Sequence, residues 1–301
     1  SATATTWTKT DLTGSIPAYG FFLIHQASGG AVGSPLPTPD ATGTISMNAT
    51  AGKVALVNTS TALSGANPTD ASIVDLVGYG TTANGFEGSG PAPAPSNTKS
   101  AERKARGSSD ATKHAAAGVD EYAGNGEDSN NNANDFVAQI TIVPQNTSSE
   151  IEGLRVRNTT TDAYFGKIQR AIDQAASSQT LDVVAGTYSE TISLTKNLTI
   201  TSGGVLSIVG DLTVNSSVSV TLNANVSVGG NVVVQSSGAT LTVSATKALT
   251  TTANVQVQTG GTLSGAGTLS FEGDGYTFTN NGVVGASTIF ENIEGGLYYI
   301  A

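Results

Sequence analysis

The C-terminal half of this 301-residue chain contains a short repeat that restricts the folds open to it. The segment GDLTV at 210–214 is followed twenty positions later by GNVVV at 230–234. Apolar dyads of the form L-x-I or V-x-V start at Leu198, Leu206, Leu212, Val218, Val226, Val232 and Leu241. Alternation of this kind predicts strands, and three short strands in each turn of about twenty residues are typical of a triangular parallel β-helix. We predict such a solenoid from Leu181 to near Ala301. A sandwich of many short hairpins is the alternative.

A short amphipathic helix is predicted just before the repeats. Apolar residues recur there at the spacing of one helical face, at Phe165, Ile168, Ile172 and Ala175. Thr161 or Asp162 is expected to cap the first turn, and the cluster 177–180 to end the helix. The stretch 164–203 is therefore the joint between two domains.

The order of this helix and the strands after it resembles the start of right-handed parallel β-helix proteins of the pectin-lyase-like group. The residues that carry the resemblance are IQRAIDQAA at 168–176, VVAGTYSE at 183–190 and LTKNLTI at 194–200. In that group an IQxAIxxA helix covers the open end of the solenoid, and a GTYxE strand opens the first coil. The resemblance implies a fold for this half of the chain and implies no particular activity.

The N-terminal half resembles the bacterial form of the lamin tail domain, an immunoglobulin-like (Ig-like) β-sandwich of secreted and surface proteins. The matching stretches are SIPAYGFFLIHQA (15–27), PTPDATGTISMNATAGKVALVN (37–58), VDLVGYGTTANGFEGSGPAPAPSNTKSAERK (74–104) and GEDSNNNANDF (126–136). The resemblance implies a sandwich over 1–143. The residues themselves predict strands at 19–26, 53–58, 73–79 and 137–143, the first of them central in its sheet because both of its faces are apolar. The segment PAPAPS (91–96) is expected to run over the surface as polyproline, outside any ladder.

Lamin tail domains usually begin with a first hairpin, and its strands are missing before the segment that here begins at Ser1. A sandwich without its first strands exposes backbone groups and apolar side chains at an open edge. One interpretation is that the leading piece has been removed. The other is that a neighbouring subunit donates the strand, for which the apolar segment 296–301, GLYYIA, is a candidate.

The predicted organisation is therefore all-β: an Ig-like sandwich over 1–143 with its first strands missing, a linker over 144–160, and a helix-capped β-helix over 161–301. The linker is predicted from the segment PQNTSS at 144–149.

The amino-acid composition narrows the range of functions expected of this protein. The net charge of −10 and the pI near 4.5 argue against a nucleic-acid partner, because that binding depends on cationic neutralisation. The absence of cysteine excludes disulfide and thiolate chemistry. No stretch is apolar enough to span a bilayer, and the sequence begins at Ser1 without a signal peptide. With the Thr, Ser, Asn and Gly bias, we expect a mature bacterial protein that is secreted, extracellular or at the cell surface.

Catalytic residues are not predicted. After Leu198 the sequence has one basic residue, Lys247, and no histidine, whereas β-helix enzymes that act on pectin combine carboxylates with Arg or Lys. Glu272 and Asp274 lie two apart, but FEGDGY is equally well explained as a turn. General acid–base chemistry needs a positioned proton carrier, and none is evident. We therefore predict that the protein is not an enzyme and binds no organic cofactor.

An oxygen-rich loop is the one candidate metal site. Hard cations such as Ca²⁺ take six to eight oxygen ligands. The candidate ligands are Asp120, Glu127, Asp128, Asn130, Asn132 and Asp135, with Glu121 and Asn134 beside them. The order does not follow an EF-hand, and Asx turns in a solvated loop explain the same residues. Ca²⁺ binding and a purely structural loop are both left open.

The basic residues and the histidines have structural explanations. Lys99, Arg103, Lys104, Arg106 and Lys113 form the one basic cluster, which we predict pairs with the acidic loop after it. His25 is predicted at the end of a core strand and His114 in a polar loop. N-x-S/T sequons, at Asn146, Asn158, Asn197, Asn215 and Asn225 among others, are expected by chance in this composition.

The sequence thus predicts a structural subunit of a secreted bacterial surface assembly: an extracellular filament, a sheath or an S-layer. Its partners would be copies of itself, joined through open β edges or by strand donation, with a cell-surface polysaccharide as a further candidate partner. The alternatives are a carbohydrate-binding or carbohydrate-active β-helix protein and an adhesin module that does not assemble.

Overall fold

The computed structural model describes residues 2–28, 30, 35–273, 275–285 and 289–292, the last four by their backbone alone. The chain divides into two compact units, 1–153 and 154–301. The second unit is built mainly from strands, whereas most described residues of the first unit lie in turns and loops between short strands; the described residues form three short helices.

The first unit contains three separate two-stranded sheets. Strands β1 (Ile24–His25) and β2 (Ala41–Thr42) pair in parallel. Strands β3 (Gly52–Val57) and β4 (Ile73–Tyr79) pair antiparallel, as do β5 (Ser100–Arg103) and β6 (Phe136–Gln139). Two four-residue helices, α1 (Ala111–His114) and α2 (Asn132–Asp135), lie between β5 and β6 in the sequence. The Ig-like sandwich predicted for 1–143 is not confirmed, because the described residues of this unit form no larger sheet.

The strand predictions succeed for two segments, fail for one and hold only in part for 137–143, where the observed strand β6 covers Phe136–Gln139 and the β-branched residues 140–143 lie outside it. The predicted strands 53–58 and 73–79 correspond to β3 and β4. The central strand predicted over 19–26 is wrong: only Ile24–His25 is a strand, both residues are exposed, and Tyr19 has a positive φ of 61°. The prediction that PAPAPS lies outside any ladder is wrong at two residues, Ala92 and Ser96, and Ser96 bridges Lys99 antiparallel. Ala92 bridges Tyr79 in parallel, its N–H donates to Gly78 O, and its C=O accepts from Gly80 N. Proline lacks the N–H that a ladder needs, but an alanine between two prolines keeps both of its groups.

The second unit begins with two short strands and a helix. Strands β7 (Val156–Asn158) and β8 (Ala163–Phe165) form an antiparallel pair, and β7 also pairs antiparallel with β9 (Gln179–Val183). Helix α3 (Ile168–Gln174) follows. Strand β7 lies inside the segment 144–160 that the sequence analysis assigns to a linker. Phe165 belongs to β8 rather than to the helical face on which it was predicted.

The remaining strands form a right-handed parallel β-helix, as predicted from the repeats. The described residues hold five complete coils and part of a sixth. Their strands are β9 (Gln179–Val183), β10 (Gly186–Tyr188), β11 (Ile192–Leu194), β12 (Leu198–Ile208), β13 (Leu212–Val214), β14 (Ser219–Val228), β15 (Val232–Val234), β16 (Thr240–Val243), β17 (Ala248–Thr251), β18 (Val255–Val257), β19 (Thr262–Ser264), β20 (Thr268–Phe271), β21 (Phe278–Asn280), β22 (Val283–Val284) and β23 (Ile289–Asn292).

Each coil contributes one strand to each of three parallel ladders. The first ladder follows β9, β12, β14, β16, β19 and β22, and the second follows β10, β12, β14, β17, β20 and β23. Strands β12 and β14 bend and so serve both ladders. The third ladder follows β11, β13, β15, β18 and β21.

The interior of the solenoid is a set of apolar columns. Leu194, Val214, Val234 and Val257 lie directly above one another in the third ladder and are fully buried. Because every coil places its inward side chain on that of the next coil, the dyads seen in the sequence become continuous columns. Burial of each such side chain stabilises the fold by about 1.5–3 kcal/mol.

At one corner of the solenoid, Asp and Asn side chains of successive coils form a column of hydrogen bonds. Asp211 Oδ1 accepts from Asn231 N at 2.7 Å, and Asn231 Oδ1 accepts from Asn254 N at 3.3 Å. Asn254 Oδ1 then accepts from Thr277 N at 2.8 Å. Turn amides that no strand can satisfy are thus paired from coil to coil, which explains why Asp or Asn recurs at this position.

Helix α3 closes the first end of the solenoid. Ile168, Ala171 and Ile172 are at most 1% exposed, and Ile168 lines a small apolar cavity together with Ile192 and Leu194 of β11. The helix therefore covers apolar side chains of the first coil that would otherwise meet water.

Candidate functional site

The first unit leaves an unusual amount of apolar surface in contact with solvent. Seven apolar residues are buried in the described part of this unit, and five of them are alanines; Leu76 and Tyr79 are the other two. Twelve large apolar residues are exposed: Leu12, Ile16, Tyr19, Ile24, Leu36, Met47, Val54, Leu56, Val74, Ile140, Ile142 and Val143. In the second unit, 35 apolar residues are buried among those described. The two units thus differ sharply in how well they close their own cores.

The hairpin β3–β4 carries the most regular part of this exposed surface. Val54 and Leu56 are two apart in β3 and point to one face, where they are 45% and 43% exposed. Within the described residues, β3 pairs only with β4, and no other segment bonds to the outer edge of β3 through its backbone. We call Val54, Leu56 and this edge the open β3 surface. A two-stranded sheet is marginal in water unless something packs on it.

Lys53 lies on the opposite side of β3 and fixes distant loops. Its Nζ donates to Ala4 O at 2.8 Å, to Ala66 O at 2.6 Å and to Asn84 Oδ1 at 2.8 Å. It also lies 5.0 Å from the centroid of the Trp7 ring. Burial lowers the pKa of Lys53. With three acceptors and an aromatic face around it, this cation serves as a structural cross-link.

Two of the five residues of the basic cluster, Arg103 and Arg106, form ion pairs with the acidic loop, so the predicted pairing is confirmed in part. Arg106 binds the fully buried Asp120 at 2.9 Å, and Ser109 Oγ donates to the same carboxylate at 2.8 Å. Arg103 forms an ion pair with Asp75 and lies 3.4 Å from Asp128. These pairs hold together loops that have little apolar burial of their own.

Four of the six candidate calcium ligands, Asp120, Asp128, Asn132 and Asp135, use side-chain oxygens to accept hydrogen bonds from other protein groups. Burial acts to raise the pKa of Asp135, but hydrogen bonds from Ser129 and Asn131 outweigh it and lower the pKa below its ordinary value. Asp128 Oδ1 accepts from Asn130 N at 3.2 Å, whereas Glu127 is engaged through its backbone, which accepts from Arg103. The described residues contain no group of three or more His, Asp or Glu side chains that could hold a metal ion. Calcium binding stays a prediction.

Asn132 has a structural role that the sequence did not predict. Its Oδ1 accepts from Gly78 N at 2.8 Å and from Glu87 N at 3.2 Å, and its Nδ2 donates to Leu76 O at 3.0 Å. This buried amide therefore ties helix α2 to strand β4. A run of asparagines cannot show which member reaches a strand more than fifty positions away.

The two histidines are placed opposite to the sequence prediction. His25 is exposed in β1, whereas the His114 side chain is 3% exposed. His114 Nε2 accepts from Ala105 N at 3.0 Å, and its Nδ1 lies 3.4 Å from Glu102 Oε1. The described structure therefore gives His114 a packing role and does not pair it with His25.

Glu152 is the most perturbed acid of the first unit. Burial raises its pKa to about 7 against the hydrogen bond from Gln145 Nε2, which lowers it. Glu102 and Glu150 raise the pKa further, and His114 lowers it. With a pKa of about 7, the Glu152 carboxyl is about half protonated at pH 7, whereas an ordinary glutamate is almost fully ionised.

The structure describes only part of the remaining segments singled out in the sequence. Glu272 is exposed just after β20, and Asp274 and the segment 296–301 lie outside the described residues. Along the described chain, no helix has the length and apolar character needed to cross a membrane.

Comparisons with protein-family models, with curated proteins and with solved structures found no match for this chain.

Proposed function

We propose that this protein is a structural subunit of a secreted bacterial surface assembly, such as an extracellular filament, a sheath or an S-layer. Copies would associate through the open β3 surface of the first unit. The observation that carries the proposal is the exposure of Val54 and Leu56 on a strand whose outer edge is unpaired among the described residues.

Physical chemistry favours a strand from a second copy at this position. An added strand would satisfy the free N–H and C=O groups along β3, and its side chains would cover the apolar face. A patch of this kind on a lone subunit is a known aggregation hazard unless a partner covers it. The low burial in the rest of the first unit supports the same interpretation, because this unit gains most from added apolar contacts.

We further propose the finer folds implied by the two resemblances. The order of α3, the GTYSE segment and β11 supports a pectin-lyase-like start of the solenoid. The paired strands β3 and β4, which coincide with two of the matching stretches, support an origin of the first unit in a lamin tail domain. The acidic, cysteine-free composition, rich in Thr, Ser, Asn and Gly, supports a place outside the cell.

Sedimentation velocity over a wide range of protein concentrations tests the assembly. The wild-type chain is expected to form larger species as concentration rises, with and without Ca²⁺. Leu56→Lys places a charge on the open β3 surface and should shift the association to higher concentration. Val209→Lys is the matched control, because Val209 is a similarly exposed valine in the solenoid, 54% exposed.

Two results would overturn the proposal. One is a wild-type chain that stays monomeric at every concentration. The other is an equal response to Leu56→Lys and Val209→Lys, which would show that the open β3 surface has no special part in association.

A further inference from the structure

One outer face of the solenoid carries hydroxyl groups in a regular two-dimensional pattern. On the first ladder, Thr199, Thr221, Thr242 and Ser264 lie directly above one another on successive coils. A second column of Ser219, Thr240 and Thr262 runs beside it. We call these two columns the hydroxyl face.

The register and the burial pattern place these side chains outward. In β16 the residues that alternate with Thr240 and Thr242 are Leu241 and Val243, and both are fully buried. The same alternation holds for Thr221 in β14. The threonines are half-buried by their neighbours, so each side chain stands within a continuous layer rather than alone.

The backbone fixes both repeats of the pattern. Neighbouring coils of a parallel ladder are about 4.8 Å apart, and residues two apart in a strand are roughly 6.7 Å apart. Threonine is stiff at χ1 because it is branched at Cβ, so its hydroxyl and methyl groups are held in place before any partner arrives. Thr242 Oγ1 and Ser264 Oγ are 3.0 Å apart, which shows hydroxyls of successive coils within hydrogen-bonding distance.

The chemical groups on the hydroxyl face restrict the kind of partner that can bind it. Although the chain has a net charge of −10, the outward residues of this ladder in β12, β14, β16 and β19 include no charged and no aromatic side chain. A hydroxyl both donates and accepts hydrogen bonds, as a water molecule does. A neutral, rigid lattice of such groups complements another neutral lattice of donors and acceptors, and it lacks the aromatic rings on which planar ligands stack.

The geometry points to ice as the partner of the hydroxyl face. Water molecules held between the threonine columns would share the repeat of the solenoid and join the surface layer of an ice crystal, while the methyl groups fill the spaces between them. This activity is independent of the proposed self-association, which uses the first unit.

Ice growth in the presence of the whole chain tests the inference. The wild-type protein is expected to lower the freezing point of a seeded sample below its melting point and to slow ice recrystallisation. Thr221→Lys, in the centre of the face, should abolish most of both effects, because the long charged side chain disrupts the layer. Thr213→Lys is the matched control: it has the same change at an outward, half-buried threonine, but on the third ladder.

Circular dichroism and the melting temperature establish that the variants are folded. Thr240→Lys, in the other column, provides a second test if Thr221→Lys does not fold. The inference fails if the wild-type chain leaves ice growth unchanged, or if Thr213→Lys reduces the effect as much as Thr221→Lys. It also fails if folded Thr221→Lys and Thr240→Lys variants both retain the wild-type effect on ice growth.

Discussion

Glu190 Oε1 lies 3.0 Å from the backbone nitrogen of Ile168 and accepts a hydrogen bond from it. The other carboxylate oxygen accepts from Gln169 N at 3.0 Å. Lys167 occupies the N-cap position of α3 and makes no side-chain cap. A glutamate that follows the first strands of the solenoid therefore caps the helix that closes it, and the predicted caps Thr161 and Asp162 are wrong. The position of Glu190 is fixed by the coil, so helix and coil support each other.

Replacing Glu190 by alanine should destabilise the second unit by about 1–2 kcal/mol, because two helix N–H groups lose a charged acceptor. Urea unfolding followed by far-UV circular dichroism measures the change. Glu190→Gln keeps one acceptor oxygen and should lose less. A Glu190→Ala variant as stable as the wild type would show that this cap contributes nothing.

Asp120 should contribute far more to the free energy of unfolding than an exposed acid in a comparably close ion pair. Its carboxylate is fully buried against Arg106 and Ser109, so Asp120→Ala leaves buried donors without a partner and should cost about 3 kcal/mol. Asp11→Ala breaks the exposed pair with Lys9 and should cost no more than about 0.5 kcal/mol. The single tryptophan, Trp7, belongs to the first unit, so its fluorescence during urea unfolding reports on that unit. Equal losses of unfolding free energy in Asp120→Ala and Asp11→Ala would contradict the structural role given to Asp120.

The stability of the first unit should depend on pH through Glu152. Its folded pKa of about 7 lies above the ordinary value of 4.5, so the unfolded chain releases this proton first as pH rises. The stabilisation that protonated Glu152 contributes to folding is fully present below about pH 4.5. It is lost as the pH rises from 4.5 to 7, and it stays absent above that range. Glu152→Gln cannot ionise and should be more stable than the wild type at pH 8, with little difference at pH 4.5. Trp7 fluorescence at the two pH values measures this, and an unchanged difference between them would refute it.

The columns of the solenoid predict a large effect of a single truncation. Leu222 is buried between Ile200 and Val243, and Leu222→Ala should cost about 2–5 kcal/mol because the coils on either side prevent collapse of the cavity. Val209→Ala, at an exposed turn, is the control and should change the free energy of unfolding by less than about 0.5 kcal/mol. Unfolding curves from circular dichroism distinguish the two. A small effect at Leu222 would mean that the columns are not close-packed.

The sequence predicted the structure best where the local residue pattern matches the environment that the tertiary structure creates. Val232, Val234 and their equivalents alternate with outward residues because each coil repeats the environment of the last, so the β-helix could be read from the period alone. Candidate sites were predicted less well. The pairing of Arg106 with the acidic loop followed from charge, but the burial of His114 and the contacts of Asn132 did not.

By itself, the sequence determined the solenoid, its closing helix and the strands β3 and β4, because alternation and helical spacing act over a few residues. Only the tertiary structure decided that Glu190 caps α3, that Ala92 joins a ladder, and that Val54 and Leu56 remain exposed. Each of these depends on which segments meet across long stretches of chain. Short polar patterns do not encode such meetings, because many segments of this Thr- and Asn-rich chain offer the same donors and acceptors.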